Sequence, residues 1–200
     1  MMAAATPGTT VPALDPARER AILAGTLEVL AEAGYDAMRL DAVASRARAS
    51  KATLYRHWSG KADLVVHAIR SFERLDDLVT ETDTGSLRGD MLAILRAMTD
   101  TMTGPAGQIM TGVMIVMQRD PELADAVRTS ILDDRQHIIR RMHDRAIVRG
   151  ELAADADTGL FDEIAPAVLF TRIFVQGRSI DEGDLVRLTD DILLPLMTRR

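Results

Sequence analysis

The sequence has 200 residues, 47% of them hydrophobic, and its 24 Lys and Arg residues are outnumbered by 30 Asp and Glu residues, so the net charge is −6. The lack of cysteine excludes disulfides, thiolate metal sites and cysteine nucleophiles. No apolar run approaches the roughly 20 residues that a membrane-spanning helix needs. An acidic chain is not a general nucleic-acid binder, because affinity for DNA depends on cations.

Aromatic residues make up only 4% of the sequence, and β-branched residues do not alternate with polar ones. We therefore predict an all-α fold of about nine helices. The N-terminus, MMAAATPGTTVPALDP, lacks the basic and long apolar regions of a signal peptide, so we expect a cytoplasmic protein. Residues 1–14 are expected to form a disordered tail.

The first helix should begin near Asp15-Pro16 and end at Gly34, because Pro suits the first helical position and Gly the position after the last. Two short helices follow within residues 38–61. At 100° per residue, one apolar stripe combines Leu40, Val43, Ala44 and Ala47, and a second combines Leu54 and Trp58. These two stripes can bury each other.

The opposite face of the second short helix is suited to a DNA groove. Thr53 and Arg56 are central on it, and Lys51 and Tyr55 lie on its flanks. Small or hydrogen-bonding side chains near a helix N-terminus let the backbone approach base edges, while surrounding cations and hydroxyls hold phosphates. Ser50 is predicted to cap this helix.

Local charge distinguishes such a DNA-binding face from an ordinary solvated one. Residues 38–61 contain six cations and one anion, whereas residues 62–200 contain 16 cations and 24 anions. Because residues 38–61 are basic and the rest of the chain is acidic, we expect the N-terminal part to make the contacts with DNA.

The segment resembles the DNA-binding domain of the TetR (tetracycline-repressor-like) family of bacterial transcriptional regulators over roughly residues 17–70. The matching residues are the run ATLYRHW at 52–58, then Lys61 with Asp63-Leu64-Val65, and Val43-Ala44. The resemblance implies that the residues at 51–53 face bases. It also implies that Tyr55, His57 and Lys61 face phosphates or the helix that follows.

Two positions depart from the family pattern. The family has Gly where this chain has Arg48, and a Thr or Ser N-cap where it has Arg39 or Leu40. A non-Gly residue with positive φ costs about 1 kcal/mol, so we expect a strained or reshaped turn. Our hypothesis is that Arg39 and Arg48 contact phosphates. The full predicted DNA-binding set is Arg39, Arg48, Ser50, Lys51, Ala52, Thr53, Tyr55, Arg56, His57 and Lys61.

A fourth helix, about 61–80, is expected to complete the DNA-binding domain (15–80) and, by the resemblance, to transmit signals to it. The stretch 80–89, TETDTGSLRG, is predicted to be a linker, and residues 81–200 a ligand-binding and dimerisation domain. Helices are expected near 90–102, 108–118, 121–149, 160–177 and 184–197. Pro166 should kink the fourth of these or mark its start.

Methionines concentrate between Met91 and Met117. Met is a flexible filler of irregular cores and also of ligand cavities, and both interpretations stay open here. The resemblance implies a cavity in this part of the fold. The candidate lining residues are Met98, Met102, Met114, Met117, Met142, Phe170 and Phe174.

The last two helices are apolar on more than one side, so a monomer would expose a large apolar patch. We predict a two-fold homodimer through residues 160–198, the alternative being that this surface is buried within one chain. The resemblance agrees, since paired recognition helices must lie about 34–36 Å apart to reach successive major grooves.

No catalytic motif, metal site or cofactor site is predicted, and we do not expect an enzyme. Asp133 and His137 lie one helical turn apart but lack a third ligand. The predicted function is a sequence-specific transcriptional regulator, a repressor released from a palindromic double-stranded operator by an apolar or amphipathic small molecule. The alternative is an architectural or co-regulatory DNA-binding protein without an effector.

Overall fold

The computed structural model of the chain describes residues 14–73, 83–156 and 159–198, and every regular element in these ranges is a helix. The predicted all-α fold is therefore confirmed. Residues 1–13 of the predicted tail, the end of the fourth helix and the first three residues of the predicted linker (80–82) lie outside the described residues, and the last three linker residues (87–89) are helical. The N-terminal helices are α1 Pro16–Ala37, α2 Leu40–Arg46, α3 Lys51–His57 and α4 Lys61–Glu73.

Helix α1 begins as the sequence predicts. The Asp15 side chain caps it by accepting a 3.0 Å hydrogen bond from the backbone N–H of Arg18, and Pro16 occupies the first helical position. At Gly34 the helix is interrupted, since φ there is +71°. Glycine adopts this conformation without steric cost, so Gly34 ends the regular part of α1 and turns the chain towards α2.

The C-terminal part has seven α-helices within the described residues and also includes π-helical turns. They are α5 Leu87–Thr103, α6 Pro105–Met117, α7 Pro121–Val127, α8 Asp133–Val148, α9 Gly159–Phe170, α10 Glu182–Arg187 and α11 Leu194–Thr198. The π turn Arg128–Leu132 joins α7 to α8, Thr171–Val175 extends α9, and Leu188–Leu193 joins α10 to α11.

Two predicted helix starts were wrong. Helix α5 starts at Leu87 rather than near Asp90, because the Ser86 hydroxyl accepts a 3.1 Å hydrogen bond from the N–H of Gly89 and acts as its cap. Helix α6 starts at Pro105, which takes the first helical position. Helix α9 starts at Gly159, close to the predicted 160, and runs through Pro166, so the alternative of a later start at Pro166 is excluded.

The α1–α4 helices share one core with part of the C-terminal region. Leu54 and Trp58 of α3 pack there with Val43 and Ala44 of α2, as their spacing predicts. The same core also includes apolar side chains of α6 and α7: Val113, Val116, Leu123 and Val127. The two parts of the chain are therefore in direct apolar contact, through helices that the sequence assigned wholly to the second part.

A second core lies between α5, α8, α9 and the C-terminal helices, around Met91, Leu95, Met142, Phe161 and Leu169. Beside it Asp90 is completely buried and is paired with Arg145 at 3.4 Å and Arg149 at 3.2 Å. A buried carboxylate needs such partners, so this cluster ties the start of α5 to the end of α8. No helix in the described ranges is long and apolar enough to cross a lipid bilayer.

Candidate nucleic-acid interface and cavity

Helix α3 presents its polar face outwards. Leu54 and Trp58 on its inner face are buried, whereas Lys51, Tyr55 and Arg56 on its outer face are exposed. Of the other predicted contact residues, Ser50 and Ala52 are exposed and Thr53 and His57 are half-buried. Tyr55 is 60% exposed, so a large aromatic side chain points into solvent beside cations, an arrangement suited to sugar and phosphate contacts.

The start of α3 is organised by two hydroxyls. The Ser50 Oγ accepts a 3.0 Å hydrogen bond from the backbone N–H of Thr53, as the sequence predicts for an N-cap. The same Oγ lies 2.8 Å from the Thr53 Oγ1. Both polar side chains at the start of the outer face are thereby held in defined positions.

The turn between α2 and α3 keeps the conformation of a glycine turn without the glycine. Arg48 has φ of +51°. The N–H of Ala49 donates to the carbonyl of Ala44 at 2.8 Å, and that of Arg48 donates to Ser45 at 3.2 Å, which is the Schellman pattern at a helix end. The guanidinium of Arg18 donates to the Arg48 carbonyl at 2.6 Å and supports this strained position from α1. The turn is strained rather than reshaped.

Cations of this region are divided between internal pairs and the surface. Arg46 is paired with Glu28 and Glu32 of α1, each at 2.8 Å. Lys51 is paired with Asp41. Within the described residues, Arg39, Arg48 and Arg56 form no ion pair and are exposed, so these three guanidinium groups are available for phosphates.

Lys61 lies at the start of α4 and is half-buried. Its ammonium is 4.3 Å from the centroid of the Tyr35 ring and donates to the Asp36 carbonyl at 3.3 Å. Burial lowers the pKa of Lys61, against the opposing effect of Asp36 and Asp120. Burial also raises the pKa of Tyr35, with further contributions from Asp120 and Glu122. Lys61 therefore joins α4 to the end of α1, a contact that the sequence did not predict.

A cavity of about 490 Å³ lies between α5, α6 and α9, within the usual size range of small-molecule sites. Of the predicted lining residues, the structure places five in its wall: Met102, Met114, Met117, Phe170 and Phe174. The other two do not line it. Met142 is completely buried in the second core, and Met98 packs against that core.

The cavity wall also contains residues that the sequence did not single out: Thr101, Gly107, Met110, Thr111, Val127, Glu163, Pro166, Ala167 and Thr171. Helical spacing from Phe170 and Phe174 could have identified Glu163, Ala167 and Thr171 on the same side of α9. Met110, Met117 and Val127 have a second role, since they also pack against the core of α1–α4. These side chains thus contact both the cavity and the core that includes α1–α4.

The predicted pair of Asp133 and His137 has no further support, because the Asp133 side chain lies outside the described residues. Within the described part of the chain, no three His, Asp or Glu side chains come close enough together to share a metal ion.

The fold and the outer face of α3 define a DNA-binding protein of the helix-turn-helix class. Residues 22–68 match the family model "Bacterial regulatory proteins, tetR family", and residues 81–192 match "Tetracyclin repressor-like, C-terminal domain". The chain belongs to the TetR family and is a DNA-binding transcriptional regulator. Regulators of this family bind DNA operators and act as dimers.

Individual relatives agree with this assignment. The chain is 35% identical over 181 residues to the DNA-binding transcriptional repressor TetR of Mycobacteroides abscessus, covering 90% of this chain and 94% of the relative. The crystal structure of the TetR family transcription regulator SCO0332 has a TM-score of 0.71 and 29% identity, covering 90% and 97% of the two chains. The regulator FadR of Bacillus subtilis in complex with stearoyl-CoA shares the fold, with a TM-score of 0.59, 19% identity and coverage of 89% and 97%.

Proposed function

We propose that the protein is a repressor that binds a palindromic operator as a homodimer, and that an apolar or amphipathic small molecule in the cavity releases it. The observation that carries the proposal is the outer face of α3, which is exposed and polar over a buried apolar face. The proposed division of labour assigns residues 15–80 to DNA binding and residues 81–200 to ligand binding and dimerisation. Such a regulator acts in the cytoplasm, where its operator is.

Within the proposed interface, the start of α3 reads bases and its surroundings hold phosphates. Lys51, Ala52 and Thr53 are small or polar and lie at the helix N-terminus, where the backbone can approach base edges. The residues around this base-reading group are assigned to phosphates. Ser50 and Arg56 lie between the base-reading and the phosphate-binding residues. The phosphate set is Arg39, Arg48, Tyr55, His57 and Lys61.

Dimerisation is proposed through residues 160–198. Leu160, Val175 and Ile192 are 37%, 70% and 39% exposed, so the chain itself leaves these apolar side chains uncovered. Such a patch on one protomer favours burial against a second copy. The spacing of the two α3 helices in the dimer then determines whether both reach successive major grooves.

Release is proposed to depend on the layer of Met110, Met117 and Val127 between the cavity and the α1–α4 core. A ligand that fits the cavity better when the two α3 helices are wrongly spaced shifts the population away from the DNA-binding state. A coupling free energy of about 1–3 kcal/mol is typical. A ligand that fits both states equally would release nothing.

The DNA part of the proposal is tested by selecting bound sequences from random duplexes. We expect one palindromic site to be recovered. Thr53→Ala should then relax the preference at one or two base pairs, whereas Arg39→Ala should weaken all sequences alike and lower the salt slope by about 0.9. Identical behaviour of the two variants, or no preference for any duplex at low salt, would refute the assignment.

The effector part is tested by thermal unfolding with a panel of apolar and amphipathic compounds. A ligand at about 100 times its dissociation constant stabilises the folded state by about 2.7 kcal/mol. We expect at least one class to raise the melting temperature and operator DNA to weaken its binding, since coupling is reciprocal. If no compound class changes the melting temperature, the protein is a DNA-binding architectural or co-regulatory protein without an effector.

A further inference from the structure

Among the described residues that line the cavity, one carries a charged side chain, Glu163 in α9. The remaining lining residues are apolar or are threonines and a glycine. Glu163 is exposed as well as lining the cavity, so its carboxylate lies where the cavity meets solvent. A ligand that fills the apolar interior therefore presents its outer end to a negative charge.

Among the described residues, no cation is paired with this carboxylate. Within the described residues Glu163 forms no ion pair, and no Arg, Lys or His lines the cavity. The arginine nearest in sequence along the same helical segment, Arg172, is paired with Asp184 at 3.2 Å and is held in a different cluster. An anionic group entering here would meet a like charge and, among the described residues of the wall, no cationic partner.

The neutral polar groups of the wall are hydroxyls. The Thr111 Oγ1 already donates to the carbonyl of Gly107 at 2.8 Å, so its oxygen remains free only to accept. Thr101 and Thr171 add hydroxyls at other points of the wall. The Glu163 carboxylate and the Thr111 hydroxyl oxygen, which can only accept, match a ligand that donates hydrogen bonds or carries positive charge.

Building on the proposed effector role of the cavity, we infer that it selects small molecules that combine an apolar body with a cationic group, which pairs with Glu163, and that it rejects carboxylates of the same size. The apolar body provides most of the affinity by removing surface from water. The charge provides the discrimination. Because Glu163 is exposed, the pairing is partly screened, and its effect should decrease as salt increases.

The test uses three probes with the same eight-carbon tail: octyltrimethylammonium, 1-octanol and octanoate. Dissociation constants are measured by isothermal titration calorimetry with the full-length protein at low and high salt. We expect the cation to bind at least about ten-fold more tightly than octanoate, a ratio equivalent to 1.4 kcal/mol, with octanol between them. Glu163→Gln, which keeps the size of the side chain, should bring the three constants within about two-fold of one another.

Two controls locate the effect. Asp155→Asn removes the same charge from an exposed position outside the cavity wall and should leave the ratio unchanged, which excludes a general attraction of cations to an acidic protein. Ala167→Trp fills the cavity from its wall and should abolish binding of all three probes, with circular dichroism checking that the variant stays folded.

The outcomes separate this inference from the proposed effector role. If octanol and octanoate bind as tightly as the cation, or Glu163→Gln keeps the preference, the charge selectivity is refuted while the cavity remains an apolar site. If none of the probes binds the wild-type protein, both the selectivity and the apolar site are refuted.

Discussion

Arg48 in the helix-turn-helix has two separate features, a backbone conformation that favours glycine and an exposed cationic side chain. Arg48 occupies the left-handed position of a Schellman turn, with φ of +51°, where glycine is preferred because it has no Cβ. Its guanidinium is exposed and forms no ion pair within the described residues. The retained strain is consistent with a function for the side chain, since strained residues cluster at functional sites.

Arg48→Gly and Arg48→Ala separate these two roles. Glycine should raise the free energy of unfolding by about 0.5–1 kcal/mol because it relieves the positive φ, whereas alanine keeps a Cβ in the same conformation and should give no gain. Both variants lose the guanidinium and should lower the salt slope of operator binding by about 0.9. Chemical denaturation and binding titrations provide the two measurements. Unchanged DNA binding in both variants would remove Arg48 from the phosphate contacts.

At the scale of elements, helix α6 is tightly packed at its start and has open space beside its middle. A Cβ at Gly107 would overlap the Met102 carbonyl where α5 ends, whereas a Cβ at Gly112 would meet nothing within 4 Å. Both glycines lie in the same helix, which separates the cavity from the α1–α4 core. The close approach at Gly107 determines how tightly α5 and α6 meet beside the cavity.

Alanine substitutions at these two glycines should have opposite signs. Gly107→Ala forces the backbones of α5 and α6 apart, and we expect it to reduce the free energy of unfolding by about 2 kcal/mol or more. Gly112→Ala favours the helix and should increase it by up to about 1 kcal/mol. Urea unfolding followed by circular dichroism measures both. Equal effects of the two substitutions would show that the α5–α6 contact does not require a glycine.

The contact between α9 and α10 depends on another buried carboxylate. Asp184 is 5% exposed and accepts from Arg187 at 2.7 Å and Arg172 at 3.2 Å. Burial by itself raises the pKa of Asp184, but the hydrogen bonds from Arg187 and the Asp181 backbone and the charges of Arg172 and Arg178 outweigh it, so the pKa is lowered. A carboxyl group with a lowered pKa stabilises the folded state above its unfolded pKa of about 4.

This sign predicts acid sensitivity. The stabilisation from Asp184 should be complete at neutral pH and be lost as pH falls below about 4, because protonation removes the pairing with the arginines. Asp184→Asn should lower the free energy of unfolding by about 1–3 kcal/mol at pH 7 and reduce its dependence on pH between about 5 and 3. Urea unfolding at a series of pH values measures both slopes, and an identical slope for the two proteins would contradict the assignment.

In the whole molecule, charge and exposed apolar surface are distributed differently along the chain and have different proposed functions. Residues 38–61 are basic while residues 62–200 are acidic, so electrostatic attraction orients the protein with α3 towards DNA. Among the uncovered apolar side chains is Ile192 of the C-terminal part, which is 39% exposed. The dimer surface proposed above, residues 160–198, does not include α3.

Two isoleucine substitutions test the proposed dimer surface. Ile192→Asp places a charge in the proposed interface and should yield monomers with operator affinity reduced by at least about a hundred-fold, since each α3 then binds alone. Ile115→Asp is the control, because Ile115 is 62% exposed and lies on α6, outside residues 160–198. Light scattering at micromolar concentration reports the mass. A dimeric Ile192→Asp protein, or a monomeric wild type, would refute the interface.

The sequence by itself determined the features that are local along the chain. The apolar spacing of Leu54 and Trp58, the cap at Ser50 and the unusual Arg48 turn were all predicted, because helical periodicity and capping depend on residues within about one turn of each other. The starts of α5 at Leu87 and α6 at Pro105 were predicted about three residues too late. In the structure, the Ser86 cap and the proline at the first helical position set these two starts.

The tertiary structure decided which faces meet. Periodicity places Met98, Met102 and Met142 on apolar stripes. Only the packing of helices determines that Met142 is buried in the second core and that Met102, which packs against this core as Met98 does, also lines the cavity. The pairing of Arg46 with α1 and the inclusion of Val113 in the α1–α4 core likewise join residues distant in sequence. Such contacts depend on how helices cross, which no local pattern specifies.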